Sequence, residues 1–175
     1  MTRMLVRLSI FAGGMVAAAM LLPGLATSYL DRPETESTEA KPQQASTAKY
    51  AGGKGVLLEP SAGGHFFGTF TINGRKQDGL VDTGASVIAI NISTARRLGV
   101  STGSLSFNAP VSTANGTVKA ARVSLDRVEI GSISVRDVEA MVLPDKSLSG
   151  MLVGMSFLNK LSSYRVENGA LYLTR

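Results

Sequence analysis

The chain contains no cysteine and a single histidine, His65, among its 175 residues. The first absence removes disulfides, thiol nucleophiles and thiolate-bound zinc together, and the second leaves no basis for a histidine-rich metal centre. No metal and no other cofactor is therefore expected. A lone histidine without a patterned carboxylate partner also argues against a serine hydrolase, and Gly154-Met155-Ser156 lacks the second glycine of a nucleophile elbow. His65 reads instead as a strand-edge surface or packing residue, because a catalytic histidine needs an orienting partner. The net charge is +5, but the basic residues (Arg75-Lys76, Arg96-Arg97, Lys119, Arg122, Arg127, Arg136) are scattered, with no run and no interleaved aromatics. That is an ordinary solvated surface, and no nucleic-acid partner is expected. Lack of cysteine is compatible with an oxidising compartment without establishing one.

Charge is also missing from residues 8–30. After Arg3 and Arg7 this stretch is uncharged, and its apolar part (LSIFAGGMVAAAMLLPGLA) approaches the length that crosses a bilayer as a helix. Residues 1–30 read as a transmembrane anchor or, given the small residues Ala26, Thr27 and Ser28, as a signal segment. The two arginines before it and the acidic stretch DRPETESTE after it put the N-terminus in the cytoplasm. The expected location is the inner (cytoplasmic) membrane, crossed once, with the remaining chain on the periplasmic or extracytoplasmic side. Residues 31–55 are rich in Pro, Glu, Ser, Thr, Gln, Lys and Gly with almost nothing to bury, the composition of a flexible linker. A folded domain is expected over 56–175.

That domain reads as all-β. Phe66, Gly68, Phe70 and Ile72 alternate with Phe67, Thr69 and Thr71 up to Asn73-Gly74, a strong short hairpin signal, and residues 77–81 return. Residues 86–90 form an apolar run, followed by Ser93 as an N-cap, a short helix to Leu98 and Gly99 as its stop. Asn115-Gly116 marks a second hairpin between residues 111–113 and 117–121, poor in large apolar side chains and so projecting into solvent. On both sides of Gly131 the apolar phase slips, which suggests paired strands with matching bulges or bends. Leu152-Val153 is a short buried strand, 155–161 a helical turn or two, and 164–173 a terminal hairpin about Asn168-Gly169. Many short strands with little helix make a closed or partly rolled barrel.

One segment carries chemistry. Leu80-Val81-Asp82-Thr83-Gly84-Ala85-Ser86 sets a carboxylate at a tight turn between two apolar strands. By average residue usage an Asp-Thr-Gly triplet arises by chance in about one in thirty chains this long, so the neighbours decide. Here apolar strands on both sides make the Asp hard to expose fully, unlike an ordinary surface turn. An aspartyl-phosphate enzyme would want a lysine and further acids around Asp82, and these are missing.

With these residues the chain resembles the retropepsin-like aspartic proteases, whose pattern is two hydrophobics, Asp-Thr/Ser-Gly-Ala/Ser, then hydrophobics. The Asn115-Gly116 hairpin falls where that family carries its flap, and Leu152-Val153-Gly154 matches its later hydrophobic-hydrophobic-Gly element before a short helix. The N-terminal membrane segment is similar to that of exported bacterial members. The resemblance implies a retropepsin-like closed barrel with short helices, one lobe per chain and a flap hairpin. It also implies an aspartic endopeptidase acting on protein or peptide substrates, with Asp82 catalytic and Thr83, Gly84, Ala85 and Ser86 forming the active-site loop. Thr83 hydroxyls would brace two such loops across a dimer axis, and Gly84 would bring its amide to the carboxylate. Ser86 departs from the viral pattern, which places an acid there to hold substrate backbone.

Two carboxylates a few Å apart share one proton, so one can act as base on a bridging water while the other donates to the substrate carbonyl. The chain holds no second Asp-Thr-Gly or Asp-Ser-Gly. A homodimer is therefore expected, with the C-terminal strand ending Leu171-Tyr172-Leu173 as the edge that pairs between subunits. The alternative is a non-catalytic, membrane-tethered binding or assembly module with the same fold, but a scaffold has no reason to keep a half-buried carboxylate.

Overall fold

A computed structural model describes residues 49–51, 55–113 and 116–175. The segment read as a membrane anchor, 1–30, lies outside them, as does most of the linker. Among the described residues no helix is long and apolar enough to cross a membrane.

The strands are β1 (Lys49–Ala51), β2 (Gly55–Leu58), β3 (Phe66–Ile72), β4 (Arg75–Val81), β5 (Ile88–Asn91), β6 (Ala109–Thr113), β7 (Gly116–Ile130), β8 (Ile133–Leu143), β9 (Leu152–Val153), β10 (Ser163–Glu167) and β11 (Ala170–Thr174). Two short helices, α1 (Ile92–Arg97) and α2 (Met155–Leu158), and a 3₁₀ turn at Asp145–Ser147 complete the description. One sheet runs β3-β4-β9-β5-β8-β7-β6, and β3 also pairs with β7 through Thr71↔Glu129 and Ile72↔Val128. That second pairing closes the sheet on itself and leaves β6 as an added strand on β7. A separate four-stranded sheet has the order β1-β2-β11-β10.

Local chemistry sets most of the turns. Asn73 and Gly74 take φ 49° and 82°, and Asn168 and Gly169 take 51° and 79°; left-handed backbone at both corners makes the tight hairpins β3–β4 and β10–β11. The phase slip around Gly131 occurs on both strands at once. Register β7–β8 is the same on either side, with Leu125↔Val138 and Arg127↔Arg136, but Asp126 and Asp137 drop out of the ladder and Asp137 adopts φ 53°. Leu125 and Val128 are therefore both buried on β7, as are Val135 and Val138 on β8. The closed sheet encloses Phe70, Ile88, Leu125, Ile130 and Val138, with Phe157 of α2 edge-on to Phe70 at 5.8 Å between ring centres.

Several expectations are corrected. β5 starts at Ile88, because residues 83–87 form the loop after Asp82. The cap of α1 is Asn91 and not Ser93: Asn91 Oδ1 accepts from Thr94 N at 2.8 Å, while Ser93 is engaged by Asp145. At the second hairpin, β6–β7 register opposes Thr113 to Gly116, which moves the connection to residues 114–115, outside the described residues. Gly116 thus heads β7, with φ 105°. Val111 and Val118 of this hairpin are not solvent-projecting but pack against Ala120, Met141 and Leu143. The stretch read as linker contributes β1 and Gly55 to the second sheet. Finally, β11, which holds Leu171, Tyr172 and Leu173, is not a free edge. It lies between β2 and β10, its apolar side chains buried inside the sheet, and the edge strands are β1 and β10.

Candidate active site

Asp82 follows the last residue of β4, at the point where the chain leaves the barrel. β4 is held there by β9, which runs parallel to it with Leu80↔Leu152 and Val81↔Val153. The amide of Leu80 donates to Met151 O at 2.9 Å and that of Asp82 to Val153 O at 3.0 Å. The incoming flank of the loop is thereby fixed.

The loop itself is tight. Ala85 N donates to Asp82 O at 3.2 Å, and Gly84 N donates to Asp82 Oδ1 at 2.8 Å. A Cβ on Gly84 would lie 3.1 Å from that carboxylate oxygen, tighter than an ordinary contact. Asp82 is half-buried, while Thr83 and Ser86 are exposed and Ala85 is half-buried. On the far side, Met155 N donates to Ala85 O at 2.9 Å and Ser156 N to Ser86 O at 3.0 Å, so the start of α2 grips the loop. Gly154 is the crossing point. It is buried, and a Cβ there would collide with the carbonyl oxygens of Ala85 and Val87. The Leu152-Val153-Gly154 element and the Asp82–Ser86 loop, separate in sequence, are thus one unit in space.

Ser156, which sequence reasoning considered only as a failed nucleophile, supplies the remaining bracket. Its Oγ accepts from Ile88 N at 3.0 Å and donates to Glu139 O at 2.7 Å, joining β5 to β8 behind the loop. No signal in the sequence marks it, since its role depends on strands that meet only in the fold.

Two cavities meet at Asp82. The larger, about 800 Å³, lies between the loop and the β6–β7 hairpin, and Asp82, Ser86, Val111, Met141, Leu148 and Leu152 are among its lining. It is mainly apolar, with Arg122 and Glu139 as its charged members besides Asp82; the sequence marks neither of them. The second, about 490 Å³, is bordered by Asp82, Thr83, His65, Phe66 and the β10 residues Tyr164 and Val166. His65 is exposed, as expected for a surface residue. Of the flap pair, Gly116 is exposed at the start of β7, and Asn115 lies outside the described residues.

The loop lining the larger cavity on its other side, from Pro144 to Leu148, is tied to α1. Asp145 accepts from Ser93 N at 2.8 Å and Ser93 Oγ at 2.9 Å, and Asn91 Nδ2 donates to Leu148 O at 2.9 Å. The backbone and hydroxyl hydrogen bonds from Ser93, aided by Arg96, hold the Asp145 carboxyl below its ordinary value of 3.8.

Comparison with known proteins agrees with this geometry. The family described as "gag-polyprotein putative aspartyl protease" matches residues 68–160. The chain is 39% identical over 118 residues to an uncharacterised protein from the cobV 5′ region of Sinorhizobium sp., and 34% identical over 119 residues to an uncharacterised protein of Rickettsia prowazekii (strain Madrid E). These matches cover 67% of this chain in each case, and 51% and 50% of the relatives, so the chain spans about half the length of the curated relatives it matches. A crystal structure of a retropepsin-like aspartic protease from Rickettsia conorii superposes with a TM-score of 0.60 at 33% identity, covering 68% of this chain and 89% of that one.

Proposed function

The chain belongs to the retropepsin-like aspartic protease family, and from that membership we propose that it is an aspartic endopeptidase whose active site is completed by a second copy of itself. The observation that carries the proposal is the position of Asp82 between two cavities. One is a groove of about 800 Å³, taken here as the peptide site; the other, of about 490 Å³, is bordered by exposed residues of β10 and is taken as the face that a second Asp82 approaches.

In the proposed dimer, two Asp82 carboxylates lie a few Å apart across a two-fold axis and share one proton, because both cannot ionise at that separation. The ionised member removes a proton from a water held between them, and the resulting hydroxide equivalent adds to the peptide carbonyl. The protonated member donates to the carbonyl oxygen. As the gem-diol collapses, the carboxyl that took the water proton donates it to the leaving amine while the C–N bond breaks, and a hydroxyl of the adduct gives its proton to the other carboxylate as the product carbonyl forms, which restores the one-proton pair. Gly84 N, already 2.8 Å from Oδ1, orients the carboxylate throughout. On this reading the exposed Thr83 meets its symmetry mate, and the β6–β7 hairpin acts as flap over bound substrate.

The surface that favours a second copy is β10. Among the described residues it is an unpaired sheet edge, and its Tyr164 and Val166, 38% and 61% exposed, are the exposed large hydrophobics. They border the cavity that contains Asp82 and Thr83, so strand addition at β10 would bring the two loops together. Residues 1–30 are proposed to hold the chain in the inner membrane by a single pass with this domain outside, confining copies to two dimensions and raising their effective concentration.

Incubation of the full chain with a mixed peptide pool tests the reading. Peptide bonds should be cleaved by the wild type and not by Asp82→Asn, whose amide cannot share the proton; equal cleavage by both would end it.

A further inference from the structure

An ion pair faces the groove beside Asp82. Arg122 on β7 donates from Nη1 to Oε1 of Glu139 on β8 at 2.7 Å, and the two side chains are 67% and 43% exposed. Their placement is firm although their heads are wet. Glu139 O is held by the Ser156 hydroxyl, and Arg122 stands opposite Met141 in the β7–β8 ladder. Val87 and Glu139, which precede the parallel pair Ile88↔Ala140, both line the groove.

The salt bridge engages one guanidinium N–H and one carboxylate oxygen. No further hydrogen bond to either head group is present among the described residues. The pair therefore presents free N–H donors and a free carboxylate oxygen side by side, in an otherwise mainly apolar groove. A carboxamide is the complement of that arrangement: its carbonyl accepts from Arg122 and its NH₂ donates to Glu139. A carboxylate or an ammonium meets one attractive and one repulsive partner, and an alkyl side chain leaves both polar edges covered without a hydrogen bond.

Resting on the protease reading, we propose that Arg122 and Glu139 form a specificity subsite for a substrate side chain of the Asn or Gln type. In a two-fold dimer the pair occurs twice, so the preference falls at two positions placed symmetrically about the scissile bond.

The test uses the full chain and a peptide that it cleaves, with Gln, Glu, Lys or Leu introduced at each position in turn on both sides of the scissile bond. At the subsite position Gln should give about five- to tenfold higher kcat/KM than the other three, a span set by hydrogen bonds to charged but solvent-reached groups. Glu139→Gln leaves a net positive wall, and the preference should move to Glu. Arg122→Gln leaves a net negative one, and it should move to Lys. A residue with a merely structural part would change all rates together and leave the order intact. No Gln preference at any position, or the same order in both variants, overturns the subsite while leaving the protease reading standing. A wild type that cleaves no peptide, like its Asp82→Asn variant, overturns the protease reading and the subsite with it.

Discussion

Gly154 passes behind the Asp82 loop so closely that a Cβ on it would strike the carbonyl oxygen of Ala85. The obstacle is backbone already bonded to Met155 N, so it has no rotamer by which to give way. Gly154→Ala should destabilise the domain by about 1–3 kcal/mol, the range for overpacking a well-filled site, and should also displace the Asp82 loop. Gly150→Ala is the matched control: nothing lies within 4 Å of its Cβ position, so it should change stability by no more than about 0.5 kcal/mol. Thermal melting of the two variants decides; equal, small shifts would mean that the crossing is looser than the geometry states.

How much of this was readable beforehand divides along the range of the interactions. Asn73-Gly74 and Asn168-Gly169 announce their hairpins because the left-handed corners are local. The slip around Gly131 announces the matched distortion because burial must resume in phase on both strands. Asp82-Thr83-Gly84 and Leu152-Val153-Gly154 are both visible as short patterns. Their contact is not, since the pairing of β4 with β9 joins segments some seventy residues apart. The edge is hidden for the same reason: Leu171, Tyr172 and Leu173 look like a terminal strand, and only the pairing with β2 shows that β11 is interior. Arg122, Glu139 and Ser156 are commonplace polar residues until β5, β7 and β8 bring them together.

Asp145 gives a pH dependence with a definite sign. Its ionised carboxyl accepts from Ser93 N and Oγ, so its value in the folded chain lies below the 3.8 of the unfolded one. A depressed carboxylate contributes stability in full above the unfolded value and loses it as pH falls through the folded value. Wild-type melting temperature should fall faster than that of Asp145→Asn as pH drops from about 5 to about 2, and the two curves should converge at the acid end. Parallel curves would show that the contact to Ser93 carries no linkage.

The β10 edge predicts how the copies meet. Val166→Lys places a charge on an exposed edge position, a device by which sheets resist strand addition, and the residue has no core contact to lose. The variant should melt like wild type but sediment as monomer at concentrations where the wild type is dimeric, with specific activity that falls on dilution. Unchanged association would move the interface away from β10.

The most direct measurement of a site shared between two Asp82 residues is subunit mixing. Full-length wild type and Asp82→Asn are unfolded together, refolded at a fixed total concentration and assayed as the wild-type fraction is varied. If both carboxylates are needed, activity follows the square of that fraction, so that an equal mixture retains about one quarter of the wild-type rate. Activity in linear proportion to the wild-type fraction, with about one half remaining in the equal mixture, would mean that each chain works alone and would contradict the shared site.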